Sequence, residues 1–384
     1  MKPCIVVVGY NRPDCLSNIL KSISAAVYRD QDIPLVISLD KATNDCGCLK
    51  VAEEFDWKYG KKEIRTFSER QGLRNHIIQC GDLSERYGSV IILEDDLLVS
   101  PMFYEYASKA LSFYENDPKI TGISLYSHSW NGYANRFFEP IKDGNQVYLG
   151  QFSITWGECW TRKWWSNFKT WYLGHQKLDI DNDSLPININ HWPDTSWGKY
   201  FITYMVESDL YYVIPSISLS TNNSALGEHA RYKDSSHQVP LLENLNYKYT
   251  LVKSEELLRY DIFFENMNIV SSCFSRYLND GVLINLYGKK KLNNNRYILT
   301  TKRLPYKVVE SFGLDLRPIE MNVIIRVSGS SIFLYDTRIK GKKPRNNSYN
   351  VLKYELRGVS ILDSLKYCIK SFCFKASNKI KRKK

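Results

Sequence analysis

Three consecutive acids, Glu94, Asp95 and Asp96, follow the apolar run Val90-Ile91-Ile92-Leu93, and Pro101 closes the segment. Like charges at adjacent positions repel unless a cation or hydrogen-bond donors offset them. In open parallel sheets, ligands gather at the carboxyl ends of the strands, and that is where this run would deliver its acids. Magnesium and its relatives are held by one or two carboxylates together with substrate phosphates. The triplet therefore fits a divalent ion, Mn²⁺ or Mg²⁺, bridging Asp96, with or without Asp95, to a diphosphate. A solvated acidic turn after a strand is the plainer alternative.

The elements that must position such a triplet can be read on either side of it. Ile5-Val6-Val7-Val8 reads as a buried strand. After the loop Gly9-Tyr10-Asn11-Arg12-Pro13-Asp14, a helical pattern puts Leu16, Ile19, Leu20 and Ile23 on one face. Leu35–Leu39 is a second strand, ending in Asp40, and residues 64–67 are a third. Gln71-Gly72-Leu73-Arg74-Asn75 opens a helix running toward Tyr87, residues 90–93 form the next strand, Phe103–Tyr114 is helical, and residues 121–125 are another strand. Such alternation marks βαβ units around a mainly parallel sheet. Arg12 and Asp40 fall just beyond the first two strands. Each suits a ligand contact there, and each also suits a loop or helix cap.

From about 150 to 235 the pattern loosens and becomes Trp-rich. Glu158, in Trp156-Gly157-Glu158-Cys159-Trp160, is one carboxylate there. Asp194 is another, closely flanked by Trp192 and Trp197. Those rings offer flat apolar faces with a polar handle, although tryptophan is more often core. Tyr211–Pro215 is a short strand before the polar run Ser220-Thr221-Asn222-Asn223-Ser224. The remaining histidines, His76, His128, His175, His191 and His237, read as structural or surface residues.

Residues 240–345 change character, with β-like runs at 282–286 and 323–327 between basic and Asn-rich turns. Residues 360–384 have helical period: Leu362, Leu365, Ile369 and Phe372, with Cys368, share a face beside Lys366 and Lys370. This fits an interfacial helix drawn to anionic lipid, and equally a helix docked on the protein's own core. The shifts divide the chain into residues 1–235, an accessory module at 236–345 of unknown role, and a basic amphipathic segment at 346–384.

Composition narrows the classes. A chain of 384 residues with 43% hydrophobic and 24% charged content is ordinary for a folded domain with an appendage. The nine cysteines are odd in number and scattered, so they form no disulfide framework, and only Cys46-Gly47-Cys48 is a tight pair. Nothing resembles a secretory signal and no apolar run reaches spanning length, so a reduced, cytoplasmic setting is expected. The net charge of +11 is concentrated late in the chain. No zinc-finger, RNP-type or helix-turn-helix signature accompanies it, which argues against nucleic acid.

The order of these features resembles the GT-A glycosyltransferases, enzymes that use nucleotide-sugar donors. Val8-Gly9-Tyr10-Asn11-Arg12-Pro13-Asp14 and Ile92-Leu93-Glu94-Asp95-Asp96 are most similar to one group within them. That group comprises the N-acetylglucosaminyltransferase of N-glycan maturation and related bacterial surface-polysaccharide glycosyltransferases. The segment Trp156-Gly157-Glu158-Cys159-Trp160, the stretch Asp194-Thr195-Ser196-Trp197, and the run from Pro215-Ser216 through Asn222-Asn223 to Gly227-Glu228-His229 complete the resemblance, which covers about residues 3–232.

The resemblance implies a GT-A (Rossmann-like) α/β fold: a mixed, mainly parallel sheet flanked by helices, here with a smaller C-terminal α+β module and a basic C-terminal helix. It implies that Arg12 contacts the nucleotide base or phosphates, that Asp40 bonds the base, and that Glu94 faces the ribose or base side. Asp96 would ligate the metal and Asp95 would orient toward the sugar. Asp194 would deprotonate the acceptor hydroxyl, and His229 would be a second metal ligand or a donor-phosphate contact. Glu158 is the rival base, and Trp192 and Trp197 flank Asp194 closely enough to face a sugar acceptor. The implied activity is inverting, metal-dependent transfer of a hexosyl or N-acetylhexosaminyl group from a nucleotide-diphosphate-sugar to a saccharide or lipid-linked saccharide. The implied setting is bacterial surface polysaccharide or lipopolysaccharide synthesis at the inner face of the cytoplasmic membrane.

Two rival classes remain. A nucleotidyltransferase also uses acids and a divalent ion, but it needs a Gly-rich basic loop after the first strand, and residues 9–13 hold one glycine. A non-catalytic glycan-binding module would keep the fold and its tryptophans without turnover.

Overall fold

The apolar runs at the start of the chain are buried along their whole length, as expected of strands covered on both faces. The computed structural model describes residues 1–44, 46–152, 155–178, 182–223, 236–292, 295–345 and 348–381. Its strands are β1 (Cys4–Gly9), β2 (Leu35–Leu39), β3 (Lys62–Thr66), β4 (Ser89–Glu94), β5 (Leu97–Val99), β6 (Ile120–Ser124), the short pair β7 (Trp130–Asn131) and β8 (Arg136–Phe137), β9 (Val147–Gly150), β10 (Glu158–Thr161), β11 (Tyr211–Pro215), β12 (Ser220–Asn222), β13 (Arg259–Tyr260), β14 (Val282–Asn285), β15 (Tyr297–Thr300), β16 (Tyr306–Phe312) and β17 (Ile332–Lys340). The helices are α1 (Pro13–Ser24), α2 (Cys48–Glu54), α3 (Gly72–Gly81), α4 (Leu83–Tyr87), α5 (Phe103–Tyr114), α6 (Arg162–Gly174), α7 (Ile187–Asn190), α8 (Trp197–Glu207), α9 (Ile269–Cys273), α10 (Met321–Ile324), α11 (Ser348–Leu356) and α12 (Ile361–Lys381).

Among the described residues, nine strands form one sheet in the order β13-β9-β11-β6-β10-β4-β1-β2-β3. Strands β3, β2, β1 and β4 run parallel. Strand β10 then enters antiparallel between β4 and β6, with Glu158 opposite Ile92 and Ser124. Alternation sorts the side chains of β1 and β4 onto two faces. Ile5, Val7, Ile91 and Leu93 pack with residues of α1 and α5 such as Ile19 and Leu111. Val6, Val90 and Ile92 pack on the other face with Ile77, Trp165 and Phe201 of α3, α6 and α8.

Three local expectations are corrected. The helix expected from residue 71 toward Tyr87 is two helices, broken at Asp82. That carboxylate accepts hydrogen bonds from Trp165 Nε1 (2.7 Å) and Lys169 Nζ (2.9 Å), which ties the junction to α6. Gly81 permits the approach, since a Cβ there would lie 2.2 Å from the Trp165 ring. The Trp-rich region is not loose: Thr161 ends β10 and caps α6 by accepting from the Trp164 N–H (3.2 Å). Residues 323–327, expected as β-like, instead complete and follow the short helix α10.

Past residue 235 the chain continues along the large sheet: Leu242, Tyr249 and Leu257 are buried in its core, and β13 pairs with β9. A separate sheet, β14-β15-β17-β16, closes over its own core of Phe274, Ile284, Leu299, Phe312 and Leu334. Helix α11 is fastened to the body. Tyr354 OH donates to the Leu316 carbonyl (2.8 Å), and just beyond the helix Arg357 pairs with Glu139 (2.8 Å). Among the described residues, no helix is long and apolar enough to cross a membrane.

Candidate functional site

Each functional side chain sits where a strand of the parallel half ends. Val8 of β1 lies opposite Glu94 of β4, and Gly9 opposite Leu39 of β2. The residues that follow these ends, Tyr10 to Arg12, Asp40, and Asp95 with Asp96, are therefore brought to one rim. Pro13 starts α1 immediately after Arg12, at the helix position where its missing N–H costs nothing. Asp95 and Asp96 form the turn between β4 and β5. Strand β5 pairs with β12, and the Asn223 N–H donates to the Asp96 carbonyl (2.9 Å). His229 lies outside the described residues.

The three acids are not equivalent. Arg12 reaches both oxygens of Asp95, Nη2 to Oδ1 and Nε to Oδ2 at 3.3 Å, while its Nη1 is 3.3 Å from Asp96 Oδ2. Burial raises Asp95 to about 6, with Arg12 pulling the other way. Burial alone would lower Arg12, but the charges of Asp95 and Asp96 raise it above its ordinary value. Glu94 is held well above the usual carboxylate range, first by burial and then by Asp96 and Asp95. Asp96 keeps a partly exposed side chain facing the cleft.

Asp40 is nine-tenths buried and fully engaged. Its Oδ1 accepts from the N–H groups of Lys41 (2.8 Å) and Gln71 (2.7 Å), and Oδ2 from Gly72 (2.9 Å). It borders the cleft, but its main work is to pin the start of α3 to the end of β2, the capping alternative.

These groups line a cleft of about 430 Å³, within the usual range for small-ligand sites. Trp156 and Trp192 form walls, and Trp156 packs edge-on against Tyr126 (4.8 Å between centroids). Trp197 also borders the cleft, yet it is only 2% exposed and meets Trp160 edge-on (5.8 Å). Trp197, expected as an acceptor platform, is corrected to a largely structural ring, whereas Trp192 lines the cleft.

The two candidate bases separate sharply. Glu158 is 2% exposed within β10 and does not line the cleft. Burial, and then Glu94, raise its carboxyl far above the usual range, and its Oε1 has no hydrogen-bond partner among the described residues. A carboxyl enclosed in the sheet and away from the cleft does not reach an acceptor, so Glu158 is corrected to a core residue. Asp194 lies at the cleft mouth, between the lining residues Pro193 and Thr195, with its side chain 68% exposed. Lys199 Nζ sits 3.6 Å away and also donates to the Trp192 carbonyl (3.0 Å), joining the loop that bears Asp194 to α8 through one ammonium.

Sequence reasoning missed two cleft residues. Arg70 lines the cleft, with its guanidinium over the Tyr10 ring (4.9 Å). His76, expected to be structural, lines it too; its Nε2 is 2.8 Å from Ser38 Oγ, and burial lowers it to about 4. The available signal was position: both flank the first turn of the helix that follows β3, and that turn faces the strand ends. Among the described residues, no three His, Cys, Asp or Glu are grouped as a metal cage.

Comparison with known proteins follows this geometry. Residues 78–174, about a quarter of the chain, match the model of the GNT-I family. The matched stretch contains the acidic triplet and the Trp156–Trp160 motif. No curated protein matches the chain. The solved structures include Staphylococcus aureus TarS 1-349 in complex with UDP-GlcNAc, with 12% identity, TM-score 0.40, and coverage of 60% of each chain. Against the TarS structure titled without residue limits, this chain spans 36% of that chain's length. GalNAc-T7 with UDP, GalNAc and Mn²⁺ has 13% identity and TM-score 0.39, over 57% of this chain and 43% of that one. The Pyrobaculum calidifontis mannosyltransferase PcManGT, in complex with GDP-Man and Mn²⁺, has 11% identity and TM-score 0.33, over 56% and 58%. Likenesses this distant assign no activity. By its sheet layout, its acidic turn and the family match over residues 78–174, the chain resembles the GT-A glycosyltransferases.

Proposed function

We propose that this chain is an inverting glycosyltransferase that moves a sugar from a nucleotide-diphosphate-sugar to a saccharide or lipid-linked saccharide acceptor. The observation that carries the reading is the meeting of Arg12, Asp40 and the Glu94-Asp95-Asp96 turn in one cleft walled by Trp156 and Trp192. The proposed setting, bacterial surface-polysaccharide or lipopolysaccharide synthesis on the cytoplasmic side of the membrane, rests on the motif resemblance.

A divalent ion fits the residues present, provided that substrate phosphates complete its shell. Asp96 offers a cleft-facing carboxylate of which only Oδ2 is near Arg12, and one or two carboxylates with phosphates are the common arrangement for Mg²⁺ and its relatives. When bound, Mn²⁺ or Mg²⁺ supplies Lewis-acid stabilisation of the charge developing on a diphosphate leaving group.

The chain's own residues do the rest. Arg12 fixes Asp95 and keeps positive charge beside the phosphates' position. Arg70, stacked over Tyr10, adds a second cation to the cleft lining. Neutral His76 can hydrogen-bond a nucleoside without adding charge, and Glu94 borders the same part of the cleft. Asp194, at the open mouth, is placed to take the proton of an acceptor hydroxyl that approaches over Trp192, and Lys199 holds the loop bearing it. The donor thus occupies the deep end and the acceptor the mouth.

Thermal unfolding against nucleoside diphosphates, each with and without Mn²⁺, tests the reading. Ligand at a hundredfold excess over Kd stabilises the native state by about 2.7 kcal/mol. A shift for one nucleotide that requires metal and disappears in Asp96→Asn is expected. No shift for any nucleotide would remove the transferase reading and favour a glycan-binding module.

A further inference from the structure

Helix α12 is held by its root and exposes an apolar stripe over residues 361–372. Helix α11 before it is fastened through Tyr354, Arg357 and a Glu355–Arg136 pair (3.7 Å). Beyond that root, Ile361, Leu362, Leu365, Ile369 and Phe372 are between 54 and 76% exposed. At about 100° per residue these five side chains fall within one arc of roughly 100°. Lys366 borders that arc and Lys370 lies beyond it. An exposed apolar stripe of this kind, at residues 361–372, is a docking face.

Charge says what that partner is. Residues 361–384 carry eight lysines and arginines against the single acid Asp363, so seven of the chain's eleven net positive charges lie there. A second copy of the helix laid on the stripe would bring two such clusters together. A nucleic acid would answer the charge and leave the stripe in water. A surface with negative headgroups above hydrocarbon answers both at once.

We propose that α12 lies in the plane of an anionic lipid surface, with Leu362, Leu365, Ile369 and Phe372 sunk into it and the basic residues around its far end at headgroup level. The stems of Lys366 and Lys370 run along the apolar boundary while their ammonium groups stay at the headgroups. Attachment is reversible and salt-sensitive, because the helix does not span and its charge attraction is screened. This inference is independent of the nucleotide-sugar reading: the helix contributes no residue to the cleft.

The test is flotation of the full chain with phosphatidylcholine vesicles and with vesicles containing about 30% phosphatidylglycerol, at low and high salt. Partitioning onto the anionic vesicles at least about tenfold stronger, and weakened at about 0.5 M salt, is expected. The double variant Leu365→Ser/Phe372→Ser should reduce anionic binding by at least about tenfold while melting at the wild-type temperature, since neither side chain packs on the body. Equal partitioning onto both vesicle types, absence of binding, or a variant that floats like wild type would each overturn the proposal. A wild-type dimer that the variant converts to monomer, seen by light scattering, would overturn it in favour of a second copy.

Discussion

The guanidinium of Arg12 spans Asp95, with Nη2 on one carboxylate oxygen and Nε 3.3 Å from the other. Bidentate pairs of this kind fix geometry as well as charge. Because Asp95 is buried, its partner cannot be removed cheaply. Arg12→Ala should lower unfolding stability by about 3 kcal/mol, the usual cost of stranding a buried charge, and Arg12→Lys should recover only part of it. Urea unfolding of the two variants measures both. A loss confined to nucleotide affinity would mean that the pair does not support the fold.

Asp194 and Glu158 make opposite predictions under amide substitution. Asp194→Asn should reduce kcat by about 10²–10⁴-fold, the usual contribution of a general base, with donor affinity unchanged. Its ion pair with Lys199 is exposed on the Asp194 side, so stability should fall by less than about 1 kcal/mol. Glu158→Gln replaces a buried side chain that does not line the cleft with its isostere, and turnover should stay within a few-fold of wild type. A collapse of kcat in Glu158→Gln with retained melting temperature would reverse the two roles.

His76 makes acid stability a readout of the cleft floor. Its folded value, about 4, lies below its ordinary 6.5, so the unfolded chain binds more protons between these limits. Stability due to this group is then complete above pH 6.5 and is lost as pH falls toward 4, by up to about 3 kcal/mol. His76→Gln should flatten that part of the pH–stability curve. An unchanged slope would show that other groups set it.

Gly157 holds φ +103° with its α-carbon facing Leu125, where an added Cβ would come within 3.1 Å. The Leu125 N–H donates to the Gly157 carbonyl (2.9 Å), so the strained backbone is also tied in place. Gly157→Ala should cost about 1–3 kcal/mol and displace Trp156 at the cleft wall. Unfolding midpoints and Trp fluorescence check this together.

The parallel half of the sheet was legible because its strands are short apolar runs ending in polar punctuation, and β2, α5 and β11 match their expected bounds. Strand β10 was not, because Glu158-Cys159-Trp160-Thr161 has neither an apolar run nor alternation. It is a strand through pairing with β4 and β6 on both sides. The acidic triplet was legible as a group, whereas its division into a Glu94 shifted upward by burial, an Arg-clamped Asp95 and an open Asp96 depends on burial and on Arg12, 83 residues away from Asp95. Glu158 looked available because spacing reveals neighbours and not solvent. Arg70 and His76 escaped notice because a helix start acquires meaning only once the strand ends beside it are known.

The strand order places β1, β2 and β4 side by side and closes the mouth with a loop more than 180 residues after Arg12. The floor and mouth of the cleft are made of segments distant in sequence, which meet only once β1, β2 and β4 lie together. Contacts of such long sequence separation form late and slowly, since the closure entropy comes before any reward. During synthesis, Asp95 would stay solvated until Arg12 is seated against it. The cleft is therefore a late product of folding: ligand binding there reports that residues 8–197 have reached their topology.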